Sequence, residues 1–90
     1  MSFDWQRLKA RLSVGDAIQG TVIQHHQFGV FLDIGVGFLG LVEIMQFKEA
    51  PARMTREEFP PLGSTISANV IWFDDENMQL KLSLRPSDYR

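Results

Sequence analysis

Residues 28–31 read Phe-Gly-Val-Phe and continue as Leu32-Asp33-Ile34. Successive strand side chains alternate between faces, so Val30, Leu32 and Ile34 share one face while Phe31 and Asp33 take the other. A glycine directly after Phe28 permits a bulge or kink that turns Phe28 onto the Phe31 side. The expected product is an apolar core face backed by exposed rings, a surface on which flat aromatic ligands such as nucleic-acid bases stack.

The other groups capable of chemistry are fewer. His25 and His26 are adjacent, so on a strand they point to opposite faces and do not chelate one ion. His26 lies beside the expected platform, where an imidazole can stack on a base. Asp33, Glu43 and Asp74 are carboxylates without an accompanying nucleophile–base pair, so no catalytic site is read from them. No metal or cofactor site is expected either. The chain has no cysteine, which excludes disulfides and thiolate ligands. Asp74 has two readings, a polar contact for a ligand or the first residue of a turn. Lys81 is placed outward on a strand, where an ammonium can meet a phosphate or simply face water.

These residues need elements to hold them. Trp5, Leu8 and Leu12 recur at helical spacing, which predicts an amphipathic helix over residues 3–12 with Ser2 as N-cap. Val14-Gly15-Asp16 turns the chain. Strands are expected at 17–24, 30–34 and 38–44, with Gly35-Val36-Gly37 joining the second to the third. Residues 46–63 lose alternation and carry Pro51, Pro60, Pro61 and Gly63. They read as a long connection tied down by Phe47, Met54, Phe59 and Leu62, with one helical turn at the capping box Thr55-Arg56-Glu57-Glu58. Ile66, Ala68 and Val70 alternate with Ser67 and Asn69 in a fourth strand. Leu80, Leu82 and Leu84 alternate with Gln79, Lys81 and Ser83 in a fifth, after a turn at Asp74–Asn77. Five strands with a long link between the third and fourth describe an all-β fold, a Greek-key β-barrel of the OB type with a short N-terminal α-helix. The expected organisation is a helix at 1–13, a barrel at 14–85 and a tail at 86–90.

Trp72 admits two placements. Strict alternation from Val70 turns it inward, against the helix or the long connection. A register change before Phe73 turns it outward, where with Phe38 and Met45 it makes a partner-binding patch.

Ninety residues with 44% hydrophobic and 22% charged side chains suit one folded domain. The first residues show neither a basic n-region nor a long apolar run, and nothing approaches a membrane span. A cytoplasmic protein is therefore expected. The net charge is −2, and residues 14–84 hold nine anions against four cations. Arg7, Lys9, Arg11, Arg85 and Arg90 lie outside that span. An acidic body disfavours strong non-specific nucleic-acid binding, because phosphate contacts supply much of such affinity.

Taken in order, several stretches resemble an S1 RNA-binding domain. They are Val14-Gly15-Asp16, Gly20-Thr21-Val22, Phe28 to Ile34, Gly40-Leu41-Val42-Glu43-Ile44, Leu62-Gly63, Val70 to Asp74 and Leu80-Lys81-Leu82-Ser83-Leu84. The resemblance implies an OB-fold barrel whose partner is single-stranded RNA, ribosome- or mRNA-associated. It maps the family's two aromatics onto Phe28 and Phe31 and its acid onto Asp74. Its histidine position holds Glu43 and its arginine position holds Gln79. An anion repels phosphate, and a lost arginine removes bidentate contacts and cation–π stacking. The implied binding is weak, sequence-tolerant and led by stacking, with Asp74, Lys81 and Gln79 as polar contacts. The alternative is a protein-interaction module that has exchanged its RNA clamp for Trp72, Phe38 and Met45.

Overall fold

Period-two alternation of branched aliphatic residues closes on itself in this chain. In the computed structural model, which describes residues 2–47 and 56–85, one helix precedes five strands. They are α1 (Ser2–Arg11), β1 (Ala17–His26), β2 (Gly29–Asp33), β3 (Leu39–Glu43), β4 (Thr65–Asp74) and β5 (Gln79–Ser83). The strands form a closed barrel in the order β1-β2-β3-β5-β4. Only the β3–β5 pair is parallel, so the long link between β3 and β4 is what carries the chain across the barrel. This is the Greek-key barrel expected from the alternation.

Each strand sends alternate residues inward. Val22, Val30, Leu32, Val42, Ala68, Val70, Leu80 and Leu82 are all buried in one interior cluster. Two bulges interrupt the alternation. The β1–β2 register skips Ile23, and the β4–β5 register skips Ile71. A bulge inserts one unpaired residue and so flips every later side chain to the opposite face. After Ile23 the outward residues are Gln24 and His26; after Ile71 they are Trp72 and Asp74. The kink expected at Gly29 is instead a close approach. A Cβ there would collide with the Val42 carbonyl, so only glycine lets β2 lie against β3 at that point.

Both mouths of the barrel are stoppered by aromatic side chains. At the mouth near the end of β4, Trp5 of α1 is 2% exposed and meets Phe38 and Phe73 edge-on, with ring centroids 5.3 and 6.3 Å apart. At the other mouth Phe59 is buried and stacks on Phe47 at 5.8 Å. His25 closes the same mouth, its ring 5.3 Å from Phe59 and its Nε2 2.7 Å from the Pro60 carbonyl oxygen.

Several expectations are corrected here. Ser2 is the first helical residue, not a cap in front of the helix. Leu62 does not tie the long connection down, being 61% exposed. Asn69, expected outward, is buried because its amide donates to the Gly15 carbonyl at 2.9 Å. Trp72 does not turn inward, because the bulge at Ile71 reverses its direction, and Trp5 fills the interior position next to the helix. A 3₁₀ turn covers Arg56–Glu58. Met54 and Thr55 of the long connection and the tail at 86–90 lie outside the described residues.

One polar hub fixes α1 to the barrel. Trp5 Nε1 and Lys9 Nζ both donate to Asp75 Oδ1, each at 2.7 Å. The hydrogen bond from Lys9, then that from Trp5, holds the Asp75 carboxyl below its ordinary value of 3.8. A lowered folded-state value means stabilisation that is present above the ordinary pKa and lost as pH falls through the folded one. Asp75→Asn is therefore expected to lower the melting temperature at neutral pH. The gap from the native chain should close as pH falls through the lowered folded-state value, where the native carboxyl is protonated too. Thermal melts of both proteins across that range check it, and a gap independent of pH would contradict it.

Candidate nucleic-acid interface

The outer wall of β2 carries the aromatic group that the sequence suggests. Phe28 sits just before the strand, with its carbonyl accepting from the Ile44 amide at 2.9 Å, which pins that backbone to the end of β3. Its side chain is 43% exposed. Phe31 is half-buried and stands edge-on to Phe28, with ring centroids 6.4 Å apart at 75°. His26, turned outward by the bulge at Ile23, lies 4.3 Å from Phe28 and 5.9 Å from Phe31. Three rings thus share one patch. Gly29 brings β2 against β3 with no side chain in the way, and Phe28 flanks it. His26 Nδ1 is buried and without a hydrogen-bond partner among the described residues.

The polar candidates surround this patch unevenly. Glu43 lies directly across from Gly29 and is half-buried, which sets it on the strand beside the rings. Gln79 is paired with Leu39 on one side and Asp74 on the other. Asp74 is already engaged: its Oδ1 accepts from the Asn77 amide at 3.2 Å and its Oδ2 from Asn77 Nδ2 at 2.9 Å. The side-chain bond from Asn77 is the main cause that holds its carboxyl below the ordinary range. Asp74 therefore caps the turn that it opens, as one of its two readings expects. Lys81 Nζ lies 3.9 Å from Asp74 Oδ2. That separation leaves the ammonium able to turn toward another anion. The structure thus brings Phe28, Phe31 and His26 into contact, puts Glu43 on the adjacent strand β3, and sets Gln79 and Lys81 on β5 and Asp74 on β4, neither of which pairs with β2.

The residues of the partner patch are spread apart. Trp72 and Met45 are 64% and 68% exposed, whereas Phe38 leans on Trp5 at the helix-plugged mouth. The outward direction of Trp72 was open in the sequence, and the signal that decides it is the bulge. Among the described residues no group of three or more His, Asp or Glu side chains is arranged to hold a metal ion. Likewise, no helix among them is long and apolar enough to cross a membrane.

Comparison with known proteins agrees with the barrel fold. Residues 11–85 match the family model of the S1 RNA binding domain. Over 81 residues, 90% of this chain, the sequence is 32% identical to the small ribosomal subunit protein bS1 of Staphylococcus saprophyticus. The chain spans about a fifth of that relative's length. Among solved structures it is similar to GSP13 from Bacillus subtilis, with a TM-score of 0.72 and 24% identity, over 84% of this chain and 58% of that one. It is also similar to a chain of the a/eIF2alpha-aDim2p-rRNA complex from Pyrococcus horikoshii. That match has a TM-score of 0.69 and 26% identity, over 82% of this chain and 45% of the other.

Proposed function

The chain belongs to the S1 RNA binding domain family, and from that premise we propose that it binds single-stranded RNA by stacking bases on Phe28, Phe31 and His26. One observation carries the proposal: three rings meet on the outer wall instead of joining the interior cluster. Base–aromatic stacking contributes roughly 1–3 kcal/mol per base and tolerates any sequence, because every base has a π-face. Phosphate contacts contribute little here, because Lys81 shares its charge with Asp74 at 3.9 Å and Glu43 sits on the strand beside the rings. Binding is accordingly weak, sequence-tolerant and only mildly sensitive to salt. The likeness to ribosomal bS1 supports a ribosome- or mRNA-associated role in the cytoplasm, as a binding module and not an enzyme.

A fluorescently labelled single-stranded oligoribonucleotide, titrated at about 50 and 200 mM salt, tests the reading. For single strands the logarithm of affinity falls with the logarithm of salt at a slope of about −0.7 per phosphate neutralised, so a slope between 0 and about −1.5 is expected. No binding at the lower salt would remove the proposal. A slope steeper than about −3 would mean that a cation cluster, not the rings, carries the contact.

Glu43 offers a second handle. Glu43→Gln removes the anion beside the rings at nearly constant shape, and exposed charge interactions are worth roughly 0.2–1 kcal/mol. The variant is expected to bind RNA about two- to fivefold more tightly at low salt, with the gain fading as salt rises. Unchanged or weaker binding would mean that Glu43 does not face the bound strand.

The competing reading, a protein-interaction module, draws on the exposure of Trp72 and Met45. It predicts concentration-dependent broadening of amide signals around Trp72 and none of the RNA response.

A further inference from the structure

Trp72 stands on the outer wall for a structural reason. The bulge at Ile71 reverses the alternation of β4, so that Val70 and Phe73 both face inward and Trp72 faces out. Bulges often serve to re-aim a side chain next to a functional site. Here each of the two bulges delivers one aromatic ring to the outer wall, His26 on β1 and Trp72 on β4.

The pairing register shows where Trp72 lies relative to the rings of β2. Phe31 is opposite Leu41, Leu41 is opposite Lys81, and Lys81 is opposite Trp72. These four residues form a single outward row across β2, β3, β5 and β4. Leu41, in the middle of this row, is 3% exposed without belonging to the interior cluster, so neighbouring side chains on the outer side cover it. Lys81, the cation of the row, lies on β5 between the two aromatic ends, its Nζ 3.9 Å from Asp74 Oδ2. Three strand spacings of about 4.8 Å separate Phe31 from Trp72, about 14 Å along the curving sheet. That span fits within the roughly 4–16 nucleotides that one OB-type barrel engages.

We propose that Trp72 is a second stacking post for the same RNA strand. The strand would run from Phe28 and Phe31 across this row, pass its phosphates by Lys81, and lay a further base on the Trp72 indole. This rests on the RNA-binding reading above and extends it to a residue that fixes the direction and length of the bound strand. Continuity of the row with the β2 rings, and the cation between them, favour a nucleic-acid strand over a protein partner.

The test compares the native chain with Trp72→Ala and Trp72→Phe, using a uridine dinucleotide, which reaches only the Phe28–Phe31 pair, and an oligouridylate of about ten nucleotides. The longer strand is expected to bind Trp72→Ala on the order of tenfold more weakly than the native chain. Trp72→Phe should recover most of that loss, and the short strand should bind all three proteins alike. Intrinsic fluorescence gives a separate readout, because the only other tryptophan, Trp5, is buried. Emission of the native chain should be quenched by the longer strand, and that of Trp72→Phe should not. Equal affinity of the native chain and Trp72→Ala for the longer strand, while Phe31→Ala weakens it, would overturn the role of Trp72 and leave the β2 site standing. The same holds if Trp72→Ala abolishes only a concentration-dependent self- or protein contact. Absence of RNA binding by the native chain would overturn both.

Discussion

Trp5→Ala is expected to destabilise the domain by about 3–5 kcal/mol, the usual loss for truncating a buried tryptophan. In a chain of this size that corresponds to a drop in melting temperature of roughly 15–30 °C. The reason is the number of functions the indole combines. It plugs one mouth of the barrel at 2% exposure, meets Phe38 and Phe73 edge-on, and donates to Asp75. A helix of ten residues has little stability alone, so without its anchor α1 should leave the barrel as a unit. Trp5→Phe separates the contributions: it keeps much of the apolar volume, loses the donor to Asp75, and should cost clearly less. Circular dichroism melts of the three proteins decide the matter. A fall of only a few degrees for Trp5→Ala would mean that the barrel holds its core without the helix.

The second large effect concerns binding. Replacing both Phe28 and Phe31 by alanine is expected to weaken single-stranded RNA binding on the order of 30- to 1,000-fold. The two losses will not simply add, since the rings touch each other and His26. Stability should change little by comparison. Neither ring belongs to the interior cluster, and an aromatic pair contact contributes about 0.5–1.5 kcal/mol. A melting temperature within about 10 °C of the native chain is the expected result. Unfolding of the double variant would show the rings to be structural. Unaltered RNA affinity in a folded double variant would show that bases rest elsewhere.

Much of this arrangement is legible in the residues because the strands obey period-two alternation. Val30 and Leu32 inward with Phe31 outward, or Leu80 and Leu82 inward with Lys81 outward, follow directly from the pleat. The barrel class follows from five strands and one long link. What escapes is whatever breaks the period. A bulge adds one residue to one strand with no composition of its own, so neither Ile23 nor Ile71 announces itself, and both His26 and Trp72 owe their direction to it. Gly29 is conspicuous as a residue, but its reason, the Val42 carbonyl against β2, lies on another strand. The role of Trp5 is non-local in the same way: its helical spacing predicts a buried stripe without saying which surface covers it. Asp75 reads as a turn residue, and only folding brings Trp5 and Lys9 to it across some seventy residues of chain.

Amide chemical-shift mapping during titration with a single-stranded oligoribonucleotide at low salt is the most direct check on the account. Perturbations gathered on His26, Phe28, Phe31 and Glu43, then reaching Lys81 and Trp72 as the strand lengthens, are the predicted outcome. Shifts that instead collect on α1 and the Trp5 mouth, or a spectrum that RNA leaves untouched, would contradict it.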